Sequence, residues 1–145
     1  MSVVDASVVI EWISPEGDNS SPALGLFKQL AAKREELLAP RVLLEEASNA
    51  LVSGIRRQRW SGAAADSAHA LLLQIPIRLA DDRRDLLRGW ELARRYDNHP
   101  VYDMIYVALA ERTGSNLITA DHALRRRLSH LDWVVGPDDG DSRDQ

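Results

Sequence analysis

Cysteine is absent from all 145 residues. Disulfides, thiolate-held zinc and thiol nucleophiles are therefore excluded. Aromatic residues are sparse. The four tryptophans (Trp12, Trp60, Trp90, Trp133) recur at no fixed spacing and read as core or interface residues, not as a base-stacking platform. No apolar run approaches about 18 residues, and no basic leader precedes one, so neither a membrane span nor a cleavable export signal is expected. The expected location is cytoplasmic. Glycine-rich phosphate loops and serine-triad patterns are missing. The four histidines (His69, His99, His122, His130) show no metal-ligand spacing. His122, beside Asp121, is either a substrate-facing group or a surface residue.

The length fits one domain, large enough to bury most of its apolar surface without staples. The net charge of −4 argues at first against a nucleic-acid partner, but its location changes that reading. Residues 138–145 carry four aspartates against Arg143, so residues 1–137 hold only −1. The cations are sixteen arginines and two lysines, and the arginines cluster: Arg56, Arg57 and Arg59; Arg83 and Arg84; Arg94 and Arg95; Arg125, Arg126 and Arg127. Arginine suits bidentate phosphate contacts. Each cluster is either a phosphate-binding patch or a solvated helix face.

Short apolar runs alternate with helical periodicity. Strands are expected at 1–5, 37–39, 75–79, 116–119 and 132–135. Helices are expected at 7–13, 23–33, 41–57, 62–74, 84–96, 103–113 and 122–129, with a loop over 14–22. Pro40 is expected at a helix start, and Pro76 points to an edge strand or a strand beginning. The tail after Gly136 is too polar to order itself. Strands separated by helices indicate a parallel α/β sheet, whose sites lie at the carboxyl ends of strands.

Four acids fall at or just inside element boundaries: Asp5, Glu46, Asp103 and Asp121. Carboxylates crowded into one cleft raise each other's pKa unless a cation holds them. Hard oxygen ligands without His or Cys suit Mg²⁺ or Mn²⁺. Taken singly, Asp5, Asp103 and Asp121 each also read as helix N-caps. Glu46 is separated from Glu45 by helical geometry. At about 100° per residue, Leu43, Leu44, Ala47, Ala50 and Leu51 define the apolar face of that helix; Glu45 falls opposite it and Glu46 on its flank. Asn49 follows Glu46 on the same side and can hydrogen-bond to it or to a neighbour. Ser7 and Thr119 lie two residues from Asp5 and Asp121, and their hydroxyls could orient a ligand or simply favour their own elements. Aspartyl-phosphate chemistry would need a second acid near Asp5 and a lysine; Lys28 and Lys33 sit in the wrong segment.

These segments resemble the motifs of PIN-domain ribonucleases. Val3-Val4-Asp5-Ala6-Ser7 is similar to the first, and residues 39–51, where Asn49 follows Glu46 by three, to the second. Residues 102–111 around Asp103 resemble the third, and residues 117–124 around Asp121 the fourth. Order, spacing and length are similar to the VapC toxins of bacterial toxin–antitoxin pairs, over residues 1 to about 136. The resemblance implies a PIN-like three-layer α/β/α sandwich over 1–136 with a central, mainly parallel sheet, followed by an acidic, disordered tail at 137–145. It implies Mg²⁺ or Mn²⁺ held by Asp5, Glu46, Asp103 and Asp121, with Ser7, Asn49 and Thr119 in support. It implies endonucleolytic cleavage of structured RNA such as tRNA or rRNA, leaving a 5′-phosphate and a 3′-hydroxyl. A homodimer and a cognate VapB-type antitoxin are expected with it. Arg56, Arg57, Arg59, Arg125, Arg126 and Arg127 are the expected RNA-binding residues. The alternative is a catalytically silent PIN-like domain that binds RNA or an antitoxin.

Overall fold

The structure, a computed structural model, describes residues 1–16 and 22–141. Five strands form one sheet in the order β3-β2-β1-β4-β5, and every adjacent pair is parallel. The central strands β1 (Ser2–Val4), β2 (Leu37–Pro40) and β4 (Asn116–Ile118) are almost wholly buried, as parallel strands covered on both faces must be. β3 (Ile77–Ala80) is a half-exposed edge, and β5 (Val134–Val135) closes the other side. Seven α-helices among the described residues complete a three-layer α/β/α sandwich: α1 (Ala6–Ile13), α2 (Pro22–Ala32), α3 (Leu43–Arg56), α4 (Gly62–Leu72), α5 (Arg83–Arg95), α6 (Val101–Thr113) and α7 (His122–Arg127).

Several boundaries differ from the sequence reading, each for a local reason. β3 begins at Ile77 because Pro76 has no N–H to give the ladder. Pro40 ends β2, in register with Ala80, instead of starting a helix; α3 begins only at Leu43. α6 starts two residues early, at Val101, because Pro100 fixes the turn before it. The loop expected over 14–22 lies partly outside the described residues, which omit 17–21. The tail expected to be unordered from 137 begins with a 3-10 turn, Pro137–Asp141. Asp139 anchors that turn by accepting from the Arg125 guanidinium at 2.7 Å and the Gly136 N–H at 2.9 Å; residues 142–145 lie outside the described residues.

The topology selects one end of the sheet. Chain order reverses around β1, which has β2 on one side and β4 on the other. In open parallel sheets the crevice forms outside the carboxyl ends of strands at such a switch point. α6 immediately precedes β4 and turns into it through Gly114, which ends the helix in the left-handed region (φ 63°). α6 therefore runs against the strands, and its N-terminus lies over their carboxyl ends. The fully buried face of α6 (Met104, Tyr106, Val107, Ala108, Leu109, Ala110) packs it onto the sheet. α5 holds α6 from outside. Gly89 lets the Ile105 backbone approach closely, and Arg112 donates two hydrogen bonds of 2.7 and 2.8 Å to the buried Asp85.

Candidate active site

Asp5 stands at the end of β1, at the N-cap of α1, yet its side chain does not cap that helix. It is 5% exposed, and its Oδ2 accepts from both the Ser7 hydroxyl (2.7 Å) and the Thr119 hydroxyl (2.8 Å). Both hydroxyls are aimed by the β4–α7 turn. The Ala120 N–H donates to Ser7 Oγ at 3.0 Å, and the Asp121 N–H donates to Thr119 Oγ1 at 3.1 Å. Each hydroxyl thus accepts from the backbone and gives its proton to Asp5, so the N-terminal strand and the fourth strand are joined through one carboxylate.

Glu46 lies in the first turn of α3, and its Oε1 accepts from the Tyr106 hydroxyl at 2.9 Å. Glu45 beside it is exposed. Asp103 lies in the first turn of α6; Pro100, not Asp103, takes the N-cap position. Its Oδ2 meets His99 Nε2 at 2.7 Å. Asp121 does cap α7, accepting from the Leu124 N–H at 3.1 Å. The capping and ligand readings thus separate: Asp121 caps, whereas Asp5 and Asp103 carry their charge into the cleft.

Electrostatics binds three of the four acids into one unit. Burial raises the Asp5 carboxyl, against its hydroxyl donors, and the Asp103 charge adds to the rise. Burial also raises Glu46; Tyr106 opposes this, and Asp5 and Asp103 add to it. The Tyr106 phenol is pushed far up by its own burial, then by the charges of Glu46, Asp5 and Asp103. The positive ends of α1, α3 and α6 face this concentration of charge and offset part of it. Asp121 contributes to none of these shifts and reaches the cluster only through its backbone N–H on Thr119.

An all-oxygen donor set of this charge fits a hard divalent cation such as Mg²⁺ or Mn²⁺. Among the described residues, however, no three acids or histidines converge as a ligand cage. Each carboxylate is turned toward a protein donor through one oxygen. Asn49, expected beside Glu46, is exposed, and the hydrogen bond to Glu46 comes from Tyr106 instead.

Two residues at the site were not singled out from sequence. Tyr106 follows Asp103 by three positions in a helix, a spacing that places both on one face and could have been noticed. His99 gave no such signal. It precedes α6 and meets Asp103 four positions on, after a turn in which Asp97 and Asn98 are both left-handed (φ 56° and 59°).

The six candidate arginines divide by what already holds them. Arg59 pairs with Glu16 at 2.7 Å and lies over the Trp60 ring. Arg56 donates to Ser53, Arg125 is fixed by Asp139, and Arg127 donates to the Tyr96 carbonyl and to His99 Nδ1. Arg57 and Arg126 are exposed and make no ion pair among the described residues.

A parallel α/β/α sandwich with acids gathered where the strand order reverses defines the class of this molecule. The PIN domain family matches residues 2–127, and the chain belongs to that family. The fold is similar to the crystal structure of Mycobacterium tuberculosis VapC20, a toxin that cleaves the sarcin–ricin loop. The TM-score is 0.64 at 19% identity, covering 92% of this chain and 98% of that chain. No curated protein sequence matches.

Proposed function

We propose that this chain is a VapC-type toxin: a metal-dependent endoribonuclease that hydrolyses phosphodiester bonds in structured RNA such as tRNA or rRNA. The observation that carries this reading is the coupled trio Asp5, Glu46 and Asp103 at the carboxyl ends of the strands. Membership of the PIN family supports nuclease activity in general. The likeness to a toxin that cleaves the sarcin–ricin loop supports the choice of a structured RNA. No helix among the described residues is long and apolar enough to cross a membrane, in keeping with work in the cytoplasm.

The chemistry divides between a bound cation and the chain. Mg²⁺ or Mn²⁺, when bound, would neutralise charge at phosphorus and make water a stronger acid. Asp5 and Asp103 are the direct ligands in this reading, with Glu46 and Asp121 at the flanks. Ser7 and Thr119 orient Asp5 and oppose the burial-driven rise of its carboxyl, and Tyr106 does the same for Glu46. The positive helix ends that face the cleft tolerate the approach of a phosphate. The exposed Arg57 and Arg126 would take backbone phosphates beyond the reacting one. A VapB-type antitoxin would silence the enzyme by placing a basic side chain against the carboxylates, and the working form would be a homodimer.

The test is expression without an antitoxin. Growth should arrest, Asp103→Asn should relieve the arrest without unfolding the chain, and mapped RNA 5′ ends should accumulate at one structured site. Equal toxicity of the parent and of Asp103→Asn, both folded, would refute the reading and leave the silent binding domain as the better account.

A further inference from the structure

We propose that His99 and Arg127 are a positioning pair that fixes the Asp103 carboxylate, so that Arg127 serves the acidic site and not the RNA backbone. The inference rests on the reading of Asp103 as a cation ligand and goes beyond it. Its first ground is directional. Arg127 Nη1 lies 3.2 Å from His99 Nδ1, and a guanidinium can only donate. Nδ1 must therefore be the accepting nitrogen, which places the ring proton on Nε2. Nε2 is the nitrogen 2.7 Å from Asp103 Oδ2. Arg127 thus aims the imidazole so that its Nε2–H donates to the carboxylate, the device by which a ligand's outer partner fixes its orientation.

The second ground is that the chain is bent to achieve this. Asp97 and Asn98 are consecutive residues in the left-handed region, which Asp and Asn adopt more readily than other non-glycine residues, and local contacts hold them there. The enforcing contacts all concern this loop. The His99 N–H donates to the Ala93 and Tyr96 carbonyls, Arg94 donates to Asn98 Oδ1 at 2.6 Å, and Arg127 donates to the Tyr96 carbonyl at 2.5 Å. Tyr96 is held in turn by His130 at 2.9 Å. The third ground is burial. The His99 side chain is 12% exposed and the Asp103 side chain 25%, so the contact is shielded from water. Arg127 ties α7, which begins beside Asp121, to the loop that precedes Asp103. The two flanks of the cleft are braced against each other.

The pair makes Arg127 and Arg126 opposites despite their adjacency. Arg126 has no ion pair among the described residues and is free to meet a phosphate, whereas Arg127 is already committed.

The experiment uses the purified full chain in four variants: His99→Phe, His99→Gln, Arg127→Leu and Asp103→Asn. Folding is checked by circular dichroism, Mn²⁺ affinity by calorimetry, and kcat and KM on one RNA. Two-bond ¹H–¹⁵N spectra of the metal-free parent should show His99 in the Nε2–H form alone. His99→Phe and Arg127→Leu should lose about 10- to 100-fold in Mn²⁺ affinity and kcat, with KM and the salt dependence of RNA binding unchanged. His99→Gln should recover most of the loss, because its amide can donate to Asp103 and accept from Arg127 together. A mixed or Nδ1–H tautomer would overturn the proposal. So would full Mn²⁺ affinity in His99→Phe, or a loss in Arg127→Leu that falls on KM and the salt slope. Asp103→Asn separates the two levels: if it alone abolishes Mn²⁺ binding and cleavage, only the positioning pair fails; if it changes neither, the reading of the site fails.

Discussion

Replacing Tyr106 by phenylalanine removes one oxygen atom from the centre of the site. The ring is fully buried, and its hydroxyl donates to Glu46 Oε1 at 2.9 Å. A hydrogen bond to a charged group contributes about 1.5–3 kcal/mol. Glu46 is only partly buried, so water can recover some of this, and a loss of about 1–2 kcal/mol is expected. For a chain of this length each kcal/mol corresponds to about 2–4 °C, so the melting temperature should fall by about 2–8 °C. The functional effect should be larger. Tyr106 is what opposes the burial-driven rise of the Glu46 carboxyl, so without it Glu46 holds its proton more tightly and competes less well for a cation. Loss of such an outer partner costs about 10- to 100-fold in metal affinity or activity. The assay pairs calorimetric Mn²⁺ titration with single-turnover cleavage, on chains confirmed to be folded. A variant that lost the stability but kept parental Mn²⁺ affinity and rate would refute the view that Tyr106 serves Glu46 as a ligand.

Four further outcomes are expected. Asp85→Ala leaves Arg112 without its buried partner, and should destabilise by about 2–4 kcal/mol, below the full cost of a broken buried pair because Arg112 is partly exposed; denaturant melts check this. Arg126→Gln should weaken RNA binding and reduce the log–log salt slope by a little under 1, whereas Arg59→Gln, already paired with Glu16, should change the slope less. In metal-free protein, burial raises Asp5 above its unfolded value, so the stability it contributes is present at low pH and is lost as pH rises through the folded value; Asp5→Asn should flatten that part of the pH–stability profile. Glu46→Gln should impair cleavage far more than Glu45→Gln, and the reverse ranking in rate assays would contradict the placement of Glu46 beside Tyr106.

Elements with strong periodicity or unbroken apolar runs were legible. Val3, Val4, Leu117 and Ile118 announce central parallel strands, and the helix-face argument separates Glu46 from Glu45 before any contact is known. Asp5 and Asp121 could be placed at strand ends for the same reason. What stayed hidden depends on long-range pairing. The two hydroxyls on Asp5 come from residues 112 apart, and nothing local in Thr119 indicates that its partner is the end of the first strand. Asp103 looks like a cap until Pro100 takes that position. Asp97-Asn98 signals a turn, because these residue types tolerate the left-handed region, but nothing local shows that the turn delivers His99 to Asp103. The polar tail misleads differently: Asp139 orders its first turn through Arg125, a residue that reads from sequence as free for RNA.

The most direct test of the central claim is cleavage of a structured RNA by purified chain after every reagent has been stripped of metal. The account predicts no cleavage in EDTA, and full activity on adding Mg²⁺ or Mn²⁺. It predicts poor rescue by Ca²⁺, whose longer and looser coordination suits in-line geometry less well. Asp103→Asn should stay inactive under every metal while still binding the RNA. Undiminished cleavage in EDTA, or a fully active Asp103→Asn, would contradict it.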